Sequence, residues 1–450
     1  MKQAQSFTEG RIFGPLIRFA LPVLMAIFLQ TMYGAVDLLV VGQFGTAADV
    51  SAVSTGSQLM QTVTVAITGL AMGLTVFVGR EIGSGKREEA GRIIGNGIWL
   101  FGILAAILTV LLIAFAPALA GVMQAPREAF GKTAVYITIC AAGTVFIVAY
   151  NLVGSIFRGI GDSRVPLFTV AVACVLNIVG DLLLIAGFRM GTAGAAIATV
   201  FAQAVSVLIS LAVIRRRRLP FTFSRGSIRP QAKYMKETLK LGIPIALQDF
   251  LVTISFLVII AIVNTLGITD SAGVGIAEKL CGFLMLVPSA YMQSMSAFVA
   301  QNMGAEKPER ARKALWCGIS SSLVIGMLMA YLTFFHGAQL SGLFARETEV
   351  ILASADYLKA YTIDCMLTPF LFCFIGYFNG CSRTTFVMIQ GIIGAFGVRA
   401  PVSWLMSRQA EVSLFRIGLA TPASSVVQIS LCIIYFIYCT RKVHVRSSCV

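Results

Sequence analysis

Charge is what this chain has least of. Only 12% of its 450 residues are Asp, Glu, Lys or Arg, against about 25% in a soluble globular protein. Histidine is scarcer still, with His336 and His444 as the two copies. No H-E-x-x-H helix, His-Cys cluster or G-x-S-x-G turn is present, so metal-assisted or serine hydrolysis has no residues to work with. The chain is therefore not read as an enzyme, and no cofactor is expected. The ten cysteines form no C-x-x-C pair. Cys140, Cys174, Cys281, Cys317, Cys365, Cys373 and Cys432 lie inside apolar stretches and read as small hydrophobes. An A-x-A cleavage site is also missing after the first apolar segment, so a cleavable signal peptide is not expected.

What the chain does have is apolar length. Hydrophobic residues make up 57% of it, gathered in runs of about 20, the length that crosses a bilayer. Twelve spans are expected, near 15–41, 51–76, 93–116, 133–157, 165–187, 192–214, 239–263, 271–299, 314–336, 351–378, 384–407 and 414–440. The formal net charge of +15 builds no basic face interleaved with aromatics, so nucleic acid is not expected as a partner. Instead the basic residues lie in short loops. With the N-terminus inside, the outer segments hold only Arg127, Lys132, Arg189, Arg346, Arg408 and Arg416, while Lys279, Lys359 and Arg399 fall within spans. All other Lys and Arg, among them Lys2, Arg218, Arg225, Lys442 and Arg446, fall on the inner side, which predicts that both termini are cytoplasmic. The run Arg215 to Arg218 reads as a topogenic stop at the end of the sixth span, with lipid headgroups as its natural neighbours.

The chain also repeats itself. Gly83, Lys86, Glu88 and Ala90 recur as Gly304, Lys307, Glu309 and Ala311, a constant separation of 221 positions. The same separation pairs Asp49 with Asp270, Tyr136 with Tyr357, Phe157 with Phe378 and Gly159 with Gly380. Six spans per copy is an even number, so both copies start on the same side and the repeats are parallel. The expected organisation is an N-terminal six-helix lobe over 1–214, a basic cytoplasmic linker over 215–238 and a C-terminal six-helix lobe over 239–450. The fold class is an all-α polytopic membrane protein.

Two glycine motifs invite a nucleotide reading and fail it. Gly83-Ser84-Gly85-Lys86 lacks the earlier glycine of a phosphate loop, that position being Arg80, and Arg87 replaces the Ser or Thr. Arg158-Gly159-Ile160-Gly161-Asp162 lacks the third glycine of a dinucleotide fingerprint. Both read as turns between helices.

The acids inside the spans carry the functional signal. A charge at the bilayer centre costs roughly 2.5–3.5 kcal/mol on insertion scales, so it needs a partner, a proton or water. Asp37, Asp181, Asp249, Glu278 and Asp364 are the candidates, while Asp49, Asp270 and Asp356 sit near span ends where water can reach. Counting at 1.5 Å per residue puts Asp37, Asp181 and Thr199 at one level, roughly 6–12 Å below the outer boundary. Asn177 is one turn before Asp181 on the same face. Two carboxyls, an amide and a hydroxyl at one level can hold a proton or a small cation. Asp249, Glu278 and Asp364 differ in depth, which argues against one shared site, and Arg399 can neutralise Asp364 if the tenth and eleventh spans touch. These three are candidate second-lobe ion or substrate contacts.

Several stretches together resemble a known family. Leu21-Pro22, Val36-Asp37 and Val41-Gly42 lie in the first span, Phe157 to Ser163 follows the fourth, and Asn177-Ile178-Val179-Gly180-Asp181 lies in the fifth. Gln301-Asn302-Met303-Gly304-Ala305-Glu306-Lys307-Pro308-Glu309-Arg310-Ala311 is the most specific. On these the chain resembles the multidrug and toxic compound extrusion (MATE) transporters, and is most similar to bacterial DinF/NorM-like members. The resemblance implies twelve helices in two lobes around a central cleft. It also implies export of amphipathic, often cationic, drugs or metabolites in exchange for H+ or Na+. It assigns a cation or proton site to Asp37, Asn177, Asp181 and Thr199, and places Asp249 and Asp364 on the helices that hold acids in some members. No metal is implied beyond Na+ as a coupling ion. The bacterial cytoplasmic membrane and a monomeric state are the matching expectations. In the first copy Arg80-Glu81 stands where the second has the signature Gln301-Asn302, a divergence between copies. The alternative left open is a flippase or exporter of lipid-linked precursors or polysaccharides on a related duplicated fold.

Overall fold

A backbone inside hydrocarbon must satisfy its own hydrogen bonds, and a helix does so within one segment. The computed structural model describes residues 7–217, 219–223, 225–409 and 411–447. Among them there is no strand. Lys2 and Arg218, counted above with the basic residues of the inner side, lie outside this set, as do the side chains of Arg225, Lys442, His444 and Arg446.

The helices run in chain order as α1 (Phe13–Phe44), α2 (Ala47–Gly83), α3 (Arg87–Ala114), α4 (Ala116–Val122), α5 (Arg127–Ala142), α6 (Thr144–Gly159), α7 (Arg164–Asp181) and α8 (Gly191–Arg216). They continue as α9 (Ala232–Asn264), α10 (Ile268–Leu284), α11 (Leu286–Gly304), α12 (Pro308–Gly342), α13 (Thr348–Gly380) and α14 (Thr384–Ile392). The last are α15 (Ala400–Ser407), α16 (Leu414–Gly418) and α17 (Ala420–Ser447). Two π-helical stretches interrupt the α geometry, Leu182–Gly187 after α7 and Ile393–Arg399 after α14. Eleven spans are long and apolar enough to cross a membrane among the described residues, or twelve if α5 and α6 count as one span bent by 51°. The expected span at 133–157 is that bent pair, with Gly143 at the break.

Contacts divide the chain into two units. The first is Met1–Ala246 with Ala300–Lys307, and the second is Leu247–Val299 with Pro308–Val450. In the first unit α2 is the central helix. Its half from Gly69 to Gly79 is almost wholly buried, and Leu74, Val76 and Val78 join the core with Ile93, Phe101, Ile156 and Phe157. Its start is capped twice over, because the Thr46 hydroxyl accepts from the Asp49 amide while Asp49 accepts from the Thr46 amide. In the second unit α13 holds the matching place, with Tyr357, Tyr361, Phe374 and Phe378 buried along it.

The two glycine motifs are turns. Gly85 and Gly161 take positive φ, and no strand precedes either. The linker also has structure. Thr222 donates its amide to the Arg87 carbonyl, Trp99 Nε1 donates to the Ile228 carbonyl, and Gln231 donates its amide to Asn96 Oδ1. Thr222, Ile228 and Gln231 are thereby strapped to α3, and Arg217 pairs with Asp162 at 3.0 Å.

The most demanding packing in the first unit is where α2 meets the last turn of α11. A Cβ on Gly83 would lie 1.9 Å from the Gln301 carbonyl oxygen, and one on Gly304 would lie 1.8 Å from that of Arg80. Gly83 and Gly304 are repeat mates, as are Arg80 and Gln301, so the contact is reciprocal. Only glycine lets two backbones approach this closely. Gly304→Ala is expected to lower the unfolding temperature of the purified protein by several degrees. Gly102→Ala, in open space on α3, should leave it unchanged or raised, since alanine is the better helix former.

Candidate functional site

The first-unit candidates converge. Asp37 from α1, Asn177 and Asp181 from α7 and Thr199 from α8 meet in one cluster. Asp37, Asn177 and Asp181 are 5%, 1% and 0% exposed. Asn177 Nδ2 donates to Thr199 Oγ1, and Thr199 Oγ1 donates to Asp37 Oδ2, each at 3.4 Å. The Asp37 and Asp181 carboxyl groups lie within hydrogen-bonding reach of each other. Neither ionised carboxylate can donate, so the pair calls for a shared proton or a cation. Asp37 Oδ1, both Asp181 oxygens and Asn177 Oδ1 are buried acceptors with no donor in the structure. Four unsatisfied oxygens in one cluster fit a bound proton or a small hard cation. The site sits where α7 gives way to the π-helix Leu182–Gly187, directly after Asp181, and π stretches recur at functional positions.

Three further residues belong to this site and were not singled out from the sequence. Tyr33, on the same helix as Asp37, faces Gln203 on α8. Tyr33, Tyr150, Ala173, Asn177, Thr199 and Gln203 line a small cavity of about 10 Å³, room for about one water molecule. The available signal was helical spacing. Tyr33 is four residues before Asp37 and Gln203 four after Thr199, so each shares a face with a candidate.

In the second unit two of the three acids each accept from a hydroxyl of their own. Glu278 on α10 accepts from the Tyr357 hydroxyl at 3.0 Å. Asp364, two turns beyond Tyr357 on α13, accepts from Ser425 on α17 at 2.6 Å. The Arg399 guanidinium acts electrostatically on Glu278, Asp364 and Tyr357 alike. Counting residues gives height along a helix, but tilt and bend decide which heights meet. Asp249 stands apart: half-buried on α9, its carboxylate has no side-chain hydrogen bond or ion pair among the described residues. Of the basic residues assigned to spans, Lys279 and Lys359 are exposed and Arg399 is 5% exposed.

Asp49, set aside as a hydrated span-end acid, is 6% exposed and fully engaged. It accepts from the Thr46 amide and hydroxyl at 3.0 and 2.6 Å, from the Thr192 amide and hydroxyl at 3.2 and 2.7 Å, and pairs with Lys132 at 2.9 Å. One carboxylate thus ties the start of α2 to the start of α8 and to α5.

Helices spanning a membrane, buried acids with unsatisfied oxygens and a repeated architecture define a transporter. The family model described as MatE matches residues 22–183 and again 244–405. The chain belongs to this family, the MATE transporters, and carries its domain twice. Among curated relatives, the probable multidrug resistance protein YoeA of Bacillus subtilis (strain 168) is 24% identical, covering 94% of this chain and 93% of its own. The probable multidrug resistance protein YpnP of the same organism is 28% identical, covering 90% and 91%. Among solved structures, the outward-facing conformation of a multidrug resistance MATE family transporter of the MOP superfamily superposes with a TM-score of 0.91 at 19% identity, over 99% of both chains.

Asp49→Ala should unfold more readily by about 2 kcal/mol or more, because it strands the Thr46 and Thr192 donors and the Lys132 charge together. Asp270→Ala, at its repeat mate, should change stability little. Chemical or thermal denaturation of the two purified variants gives the comparison.

Proposed function

We propose that this chain is a secondary antiporter that exports amphipathic, often cationic, compounds in exchange for an inward-moving proton or sodium ion. The observation that supports this reading best is the set of unsatisfied oxygens on Asp37, Asn177 and Asp181 in an otherwise apolar unit. An ion bound there removes the repulsion between two facing carboxylates and satisfies acceptors that nothing else reaches. Its arrival and departure would therefore shift the first unit between two arrangements of α1, α7 and α8. Cargo that prefers one arrangement is then coupled to the ion through a shared equilibrium. Buried acids favour cationic cargo in this unit. The Tyr33 and Tyr150 rings beside the cluster offer flat apolar surfaces and, toward a cation, the negative faces of their π systems.

In the same reading the protein works as a monomer in the bacterial cytoplasmic membrane, with both termini in the cytoplasm as the basic loops predict. The names of YoeA and YpnP, which call them probable multidrug resistance proteins, agree with the cargo class proposed here.

Ethidium efflux from cells expressing the protein, with a pH gradient and a sodium gradient imposed separately, tests this directly. Asp37→Asn and Asp181→Asn should each slow ion-driven efflux by about tenfold or more while the protein still folds and inserts. Full efflux in both variants would sink the mechanism. The gradient that restores transport in the unaltered protein names the ion.

A further inference from the structure

Two stretches of α3 meet different surroundings. From Ala90 to Gly97 every residue but Arg92 is buried, and the linker does part of the covering. A Cβ on Gly91 would lie 2.0 Å from the Thr222 carbonyl oxygen, and one on Gly95 would lie 2.0 Å from that of Ser227. Beyond Gly97 the cover stops. Trp99, Ile103, Ile107 and Val110, spaced to share one face, are exposed. A bare apolar stripe on a membrane span is a surface for lipid. Trp99 stands where the two stretches join. It heads the bare stripe, and its Nε1 donates to the Ile228 carbonyl of the linker. A tryptophan with an apolar body and a bonded polar edge suits the bilayer interface. That places the linker at headgroup level, on the side that the basic loops predict to be cytoplasmic.

The side chains shown there are apolar and cationic. Phe223 and Ile228 are exposed. Arg229, Lys233 and Lys236 are exposed too, at spacings that carry them onto one face at the start of α9. On the opposite face Tyr234 and Thr238 are buried, and the Tyr234 hydroxyl donates to Glu89 on α3 at 2.7 Å. Lys233 lies 5.6 Å from the centre of the Tyr234 ring. Among the described residues, Arg229, Lys233 and Lys236 form no ion pair. The neighbouring acids are engaged elsewhere, Glu237 with Lys240 and both Glu88 and Glu89 with Arg92.

We propose that the linker and the start of α9 form a ledge that binds the headgroups of anionic phospholipids beside Trp99. Phe223 and Ile228 seat the ledge in the interface, and Arg229, Lys233 and Lys236 meet the phosphates. Each cation near an anionic surface strengthens the attraction about fivefold. The strap along α3 matters because a folded ledge holds its charges at fixed places, where a flexible loop would lose entropy at each contact.

The test uses the full-length protein with Trp316→Phe and Trp404→Phe, which leaves Trp99 as the sole tryptophan. It is reconstituted in vesicles that mix phosphatidylcholine with phosphatidylglycerol. Bromine on the chains of one lipid at a time quenches Trp99, and the ratio of the two quenching efficiencies gives the lipid preference at that place. Phosphatidylglycerol should be preferred severalfold, with the preference fading as salt rises. The triple variant Arg229→Gln, Lys233→Gln and Lys236→Gln should bring the ratio close to one. A companion protein that keeps only Trp316, exposed on α12, should show a ratio that the triple variant leaves unchanged. Equal quenching by the two lipids in the Trp99-only protein would overturn the proposal. So would a triple variant that keeps the preference at Trp99, or one that shifts Trp316 as much as Trp99. The first of these outcomes needs no change in the ledge, so it decides even if the triple variant does not fold.

Discussion

Hydrocarbon offers no hydrogen-bond partner, and that constraint governs this molecule at two scales. At the scale of the backbone it leaves helices as the way for this chain to cross a bilayer. At the scale of side chains it makes every buried ionisable group a commitment, since an isolated charge in such surroundings must find a counter-ion, a donor or a proton. In the second unit Glu278 and Asp364 each have a hydroxyl donor, Tyr357 and Ser425. In the first unit the demand is met only in part. Thr199 donates to Asp37, but four acceptor oxygens in the cluster remain without a donor.

Duplication kept geometry and released chemistry. Pro22 and Pro244 hold matching places inside α1 and α9. Gly83 and Gly304 make one reciprocal contact with each other's strands of sequence, a packing that tolerates no side chain at either position. These positions shape the backbone, and a backbone shape is shared by both copies. The polar positions diverged. Gly143, where the first copy bends between α5 and α6, corresponds to Asp364 on the unbroken α13.

Around the first-unit cluster, other parts are held firmly. Asp49 joins three helix segments through one carboxylate, and the linker is strapped along α3 by Asn96, Trp99 and the Arg87 carbonyl. The interhelical bonds within the cluster itself are long, at 3.4 Å. Long bonds beside short ones mark the cluster as the more loosely held part of its surroundings.

Much of this was legible in the residues. The class, the spans and the duplication followed from hydropathy and spacing, because apolar length and register are local properties of a chain. The meeting of Asp37, Asn177, Asp181 and Thr199 was also legible, since all four lie on long helices at countable heights. Tyr33 and Gln203 were within reach of the same reasoning at helical spacing. Other features were not. Asp49 looked hydrated because it sits near a span end, yet Thr192 and Lys132 close over it from helices far along the chain. Glu278 and Asp364 read as acids in need of partners, but that Tyr357 and Ser425 supply them is decided by helices far apart in the chain. Sequence alone determined what must be buried and how often the pattern repeats. Which buried groups face one another was decided only by tertiary structure, because helix bends and the packing of helices distant in sequence choose partners at no visible cost in hydropathy.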